Sequence, residues 1–208
     1  MRPVLFAILT FLTTSCGADS TQLATDSRAR LPSNKEVATQ LCHAALDRTA
    51  CNVRYEGAYV RIPYPGGDVP EDTGVCTDVV IRSYRTLGFD LQKWVHEDMK
   101  RNFSAYPKNW NLTKPDTNID HRRVPNLQTF FKRQGAALPV TQKAADYRPG
   151  DLITCTVAGR LPHIAIVVPA PDGGETPWIV HNIGGGPKLE DRLFEFPLTG
   201  HYRWHPES

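Results

Sequence analysis

Residues 73–88 read TGVCTDVVIRSYRTLG, and their pattern decides how the chain is built. Val75, Val79, Val80, Tyr84 and Leu87 fall at spacings of three and four, so they share one face of a helix. Thr73 is the expected N-cap, and Gly88 ends the helix. Cys76 then sits in the first turn, where unpaired backbone N–H groups and the helix dipole favour negative charge and lower a thiol pKa. A thiolate made this way is a nucleophile, provided a histidine can exchange its proton and a third polar group can orient that histidine.

Outward from this helix, the periodicity of KEVATQLCHAALDRT predicts an earlier helix from Lys35, with Val37, Leu41, Ala44 and Ala45 inward. Between the two lies YVRIPYPGGDVPEDTG, whose prolines and glycines predict an ordered loop of the kind that frames active sites. Residues 89–123 are mixed, with a short helix expected near Trp94–Met99, and another helix is expected from Pro125 to Gln134. After Gly150 the runs LITCTV, HIAIVV, WIVHNI and LFEF predict strands, joined by connections too short for helical crossovers and therefore antiparallel. Helices first and an antiparallel sheet second make an α+β fold.

Histidines on neighbouring strands supply the partners Cys76 requires. His163 opens HIAIVV and His181 lies in WIVHNI, so antiparallel pairing makes their side chains neighbours. Cys155, in the middle of an apolar strand, is expected to pack in the core. Cys42 and Cys51, nine positions apart around a helix end, are the candidate disulfide in an oxidising compartment.

At 208 residues and 40% hydrophobic content the chain suits one domain with a short appendage. Lys and Arg total 24 against 22 for Asp and Glu, and a net charge of +2 gives no broad field for nucleic acid. Arg2, the apolar stretch Val4–Leu12 and the small residues Thr13–Ala18 read as a secretory signal peptide over residues 1–18. Cleavage is expected either after Ala18 or before Cys16, the second route leaving a lipid-anchored cysteine. Residues 19–35 read as a flexible linker, and 36–208 as the domain. The expected location is the periplasm or envelope.

The residues Tyr64, Gly66, Gly67, Cys76 at a helix start, GDL at 150–152, HIAIV at 163 and VHN at 180 together resemble the NlpC-type papain-like cysteine peptidases. The resemblance implies a papain-like fold with N-terminal helices, the nucleophile heading the central helix, and a C-terminal antiparallel sheet. It implies Cys76 as nucleophile, His163 as base, His181 as orienting residue, and the peptide stems of peptidoglycan as substrate, with no cofactor and a monomeric chain. VCTDVVIRSYR, NIDHRRVPNL, PGDLI and HIAIV also resemble the YijF-like bacterial family, a domain of unknown function. NlpC-type enzymes carry Asp-Cys-Ser-Gly at the nucleophile, whereas this chain has GVCTD with the acid after it, at Asp78. Residues 89–149 form an insertion relative to the minimal NlpC pattern and are expected to shape the specificity side of the cleft.

Substrate contacts are expected from Tyr64, Asp78, Arg122 and Arg123. Tyr64 either donates its hydroxyl toward a substrate carbonyl or caps its loop. The cluster Asp120–Arg123 either holds a substrate carboxylate through an arginine fork or is a solvated surface. Gly184–Gly186 read as a flexible turn. Three other activities compete with hydrolysis: a zinc site made by Cys76, His163 and His181, a wall-binding module without turnover, and acyl transfer to lipids.

Overall fold

Strand register and helix packing together explain where Cys76 lies. The structure, a computed structural model, describes residues 33–206. The signal peptide with Cys16, and the linker up to residue 32, lie outside the described residues.

The first helix, α1 (Asn34–Arg48), starts inside the expected linker because Ser33 and Glu36 form a capping box, each side chain satisfying the other's backbone N–H. Its buried residues are those expected, with Cys42 added. A two-residue strand β1 (Arg54–Tyr55) pairs in parallel with β2 (Thr73–Gly74), bracketing the proline- and glycine-rich loop. The central helix α2 (Cys76–Thr86) follows at once. Thr73 is therefore a strand residue rather than its cap, with its hydroxyl bonded to Pro70 O. The start of α2 is closed instead by Asp78, whose Oδ2 accepts the Val75 N–H at 2.7 Å. The third helix, α3 (Leu91–Asn102), is longer than expected and is capped by Asp90. The fourth, α4 (Val124–Arg133), has Pro125 in its first turn and buries Val124, Leu127, Phe130 and Phe131.

The sheet comprises β3 (Ala137–Leu138), β4 (Leu152–Val157), β5 (Leu161–Val168), β6 (Trp178–Asn182), β7 (Pro187–Glu190) and β8 (Leu198–Tyr202). Its order is β3-β8-β4-β5-β6-β7, and every pairing is antiparallel. The fold is thus α+β, as expected. One expected strand is absent, for LFEF (193–196) forms a turn. Leu193 is buried there with Tyr147, Ile153 and Val167, and Phe194 packs half-buried beside them, without any ladder.

Both faces of the sheet are covered. Ile164, Ile166, Val168, Leu152 and Val180 pack with the helices, in one core with Val79, Val80, Tyr84 and Phe131. The alternate residues Ile153, Ala165, Val167 and Ile179 join Tyr147 and Leu193 on the far side. Burying each large apolar side chain contributes about 1.5–3 kcal/mol, which pins α2 to β5.

The Asp of GDL supports this arrangement. Asp151 is buried and accepts from His201 Nε2 at 2.8 Å and from Arg203 Nε at 2.7 Å, tying the start of β4 to the end of β8. Burial opposes ionisation, but those two donors hold the carboxyl below the usual carboxylate range.

Cys42 and Cys51 are free thiols, so the expected disulfide is not formed. Cys42 projects from the buried face of α1 toward Val167 O at 3.6 Å. Cys51 turns back along the chain toward Asp47 O. Among the described residues no helix is long and apolar enough to cross a membrane.

Candidate active site

Cys76 is the first residue of α2, and Val75 before it is fully extended, so the backbone turns sharply into the helix at the sulfur. The side chain is 5% exposed. It opens into a cleft of ≈ 430 Å³ lined also by Tyr55, Tyr59, Trp110, Arg123 and Pro162.

The sulfur faces β5 at Ile164. The backbone N–H of Ile164, the residue after His163, points at it, as does that of Thr77. Burial still pushes the thiol up to about 12, and these donors oppose that shift without prevailing. The expected lowering by helix position is thus outweighed by desolvation. Cys76 and His163 are not hydrogen-bonded to each other.

The two histidines do meet, as expected. His163 Nε2 lies 2.8 Å from His181 Nδ1, with the rings edge to face. The register Ile166↔Val180 between β5 and β6 sets this diagonal contact near the end of the shared ladder. Burial, reinforced by His181, brings His163 down to about 3, so its imidazole is neutral at ordinary pH. His181 is fully buried, and its second nitrogen, Nε2, lies 2.7 Å from Glu190 Oε2 on β7. Cys155 stands directly opposite His163 in the β4–β5 register and is buried; burial raises its thiol to about 11.

The expected substrate contacts divide. Asp78 and Arg122 are buried against each other: Arg122 Nε and Nη2 each donate to one Asp78 oxygen at 2.8 Å. Neither carboxylate oxygen is left for a substrate, so their expected role is corrected to holding the cleft wall to α2. The cluster Asp120, His121, Arg122 is buried, not solvated. Arg123 does reach the cleft, lying over the Trp110 ring at 4.1 Å with one loose contact to Asp120 at 3.4 Å. Tyr64 packs on His96 of α3 and is not among the residues lining the Cys76 cleft.

Two further residues, Tyr55 and Glu190, belong to the site. Tyr55 exposes one side to the cleft, and after burial the charges of Cys76 and Asp78 push its phenol up to about 12. It stands on a two-residue strand that carries no periodic signal. Glu190 was hidden for the same reason, since PKLE has no alternation. Among the described residues no group of three or more His, Cys, Asp or Glu side chains is arranged to hold a metal ion. The two imidazoles face each other instead of a shared point.

The uncharacterized protein YijF of Escherichia coli (strain K12) is 49% identical over 150 residues, 72% of this chain and 73% of its own length. A family model described as a domain of unknown function, DUF1287, matches residues 42–204, a span that contains Cys76, both histidines and Glu190. The chain belongs to the DUF1287 family.

Proposed function

We propose that this protein is an exported cysteine hydrolase of papain-like, NlpC-type fold that cleaves amide bonds in the peptide stems of peptidoglycan. The observation that carries the reading is a helix-start cysteine lining an open cleft and seated against the strand that presents a hydrogen-bonded histidine pair. Further support comes from the order of elements, with the cysteine-bearing helix packed on an antiparallel sheet.

In the resting protein both partners are neutral, as a thiol and an imidazole. A stem peptide entering the cleft brings its carbonyl carbon to Cys76, and the thiol proton passes to His163 as the C–S bond forms. Backbone N–H groups at the start of α2 and the Tyr55 hydroxyl stabilise the oxyanion. His163 then returns the proton to the leaving amine as the C–N bond breaks, leaving a thioester. Water, activated by the same imidazole, releases the carboxylate and restores the thiol. Arg123, stacked on Trp110, holds a stem carboxylate beside the scissile bond.

The test is mass spectrometry of fragments released from purified sacculi. Wild-type protein releases stem fragments, Cys76→Ala and His163→Ala release none, and Cys155→Ala remains nearly as active as wild type. Full activity in Cys76→Ala sinks the reading, and loss confined to Cys155→Ala transfers the nucleophile to the strand cysteine facing His163.

A further inference from the structure

The position of Glu190 has a consequence for both histidines. A carboxylate only accepts hydrogen bonds, whereas a neutral imidazole donates from one nitrogen and accepts at the other. Glu190 Oε2 lies 2.7 Å from His181 Nε2, and His181 Nδ1 lies 2.8 Å from His163 Nε2. The proton of His181 must then sit on Nε2, facing the carboxylate. Its Nδ1 is left as an acceptor, so His163 must carry its own proton on Nε2. His163 Nδ1 is thereby left bare.

We infer that Glu190 is a positioning residue that acts through His181 to fix the tautomer of His163, leaving Nδ1 as the basic nitrogen. This rests on the reading of Cys76 and His163 as the reacting pair, for Nδ1 is the only ring nitrogen of His163 left to take the thiol proton. Had the proton been on Nδ1, the ring would present a donor to the thiol and the transfer would have no acceptor. The neutral state of both rings follows from their burial: His181 is held below the usual histidine range by desolvation, which Glu190 only partly offsets. Arg192 Nε lies 3.5 Å from Glu190 Oε1 and 3.2 Å from Glu195, so one guanidinium holds the free oxygen away from His181. Glu190 is the last residue of β7 and pairs with Ile179, which sets its side chain beside His181, two positions further along β6.

The assignment is tested on the full chain with nitrogen-15-labelled histidine, by two-bond proton–nitrogen correlation spectra at neutral pH, with His163 identified from a His163→Gln sample. The expected spectrum shows His163 protonated on Nε2. Glu190→Gln, whose amide can offer an N–H where the carboxylate only accepts, is expected to populate the Nδ1-protonated form of His163, and Glu190→Asp to restore the original form. Iodoacetamide alkylation of Cys76, followed by mass spectrometry, is expected to slow by about tenfold or more in Glu190→Gln and to change its pH profile. A wild-type His163 protonated on Nδ1 overturns the inference, as does a tautomer unchanged in both Glu190→Gln and Glu190→Leu. The tautomer spectrum does not depend on hydrolysis. Inactive wild-type protein with the expected tautomers therefore removes the proposed function and leaves the role of Glu190 standing.

Discussion

Arg122 grips Asp78 through two nitrogens, each 2.8 Å from a separate carboxylate oxygen, and both side chains are almost wholly withdrawn from solvent. The same carboxylate caps α2 one residue before Cys76, so one ion pair ties the loop holding Arg122 to the start of the central helix. Removing one partner strands the other charge in a dry site, at a cost of about 3–5 kcal/mol. Arg122→Met and Asp78→Asn are each expected to lower the urea midpoint strongly. The double variant, with no charge left, is expected to lose less than the sum of the two. Additive losses in this cycle refute the coupling.

Acid sensitivity follows from the buried histidines. His163 and His121 both fall from 6.5 to about 3, each chiefly through burial, with His181 adding to the first and Arg122 to the second. The unfolded chain takes up these protons below pH 6.5 while the folded chain does not, so stability falls with pH by about 1.4 kcal/mol per unit for each ring. Asp120 works the other way. Burial raises it from 3.8 to about 6, so between those values the folded state holds a proton that the unfolded state lacks, and the net slope is shallower there. Urea unfolding from pH 7 down to about 4 is expected to show a falling midpoint whose slope becomes shallower below about pH 6, where folded Asp120 takes up its proton. A midpoint flat across that range contradicts burial of neutral rings.

Gly150, the first residue of GDL, has φ +91°, and a Cβ placed on it would lie 2.7 Å from Ala38 Cβ on α1. Gly150→Ala combines a left-handed backbone, worth about 1–2 kcal/mol against any L residue, with a clash that must push α1 off the sheet. The expected loss exceeds about 2 kcal/mol and is read from the thermal midpoint. A midpoint equal to wild type removes this explanation of the motif.

Arg123 is expected to act on binding more than on chemistry. Its guanidinium rests on Trp110 at the edge of the cleft, with Asp120 no nearer than 3.4 Å. Arg123→Ala is predicted to raise KM about tenfold for stems bearing a free carboxylate, the worth of one charge-assisted hydrogen bond. Stems with the carboxylate amidated are predicted to respond little, and kcat to change less than KM. An equal rise for both substrates assigns Arg123 to packing alone.

Free Cys42 and Cys51 lead to a simple check: dithiothreitol is expected to leave the thermal midpoint in place. A fall on reduction restores the disulfide.

What the chain alone determined was local or periodic. The spacing of Val79, Val80 and Tyr84 specified α2 and the position of Cys76 at its head, because an amphipathic period needs no knowledge of its partner. The β-branched runs specified β4, β5 and β6, and short connections made them antiparallel, which brought His163 beside His181. Contacts distant in sequence and without period were decided only by tertiary structure. Asp78 and Arg122 are 44 positions apart, and nothing in DHRR distinguishes a buried ion pair from a solvated cluster until the loop folds over α2. Glu190 joined the histidines because β7 aligned on β6, a pairing too short and polar to register as a pattern. The thiol pKa of Cys76 was likewise out of reach of the sequence: a helix start lowers it in any chain, and only the closed packing against β5 let desolvation win.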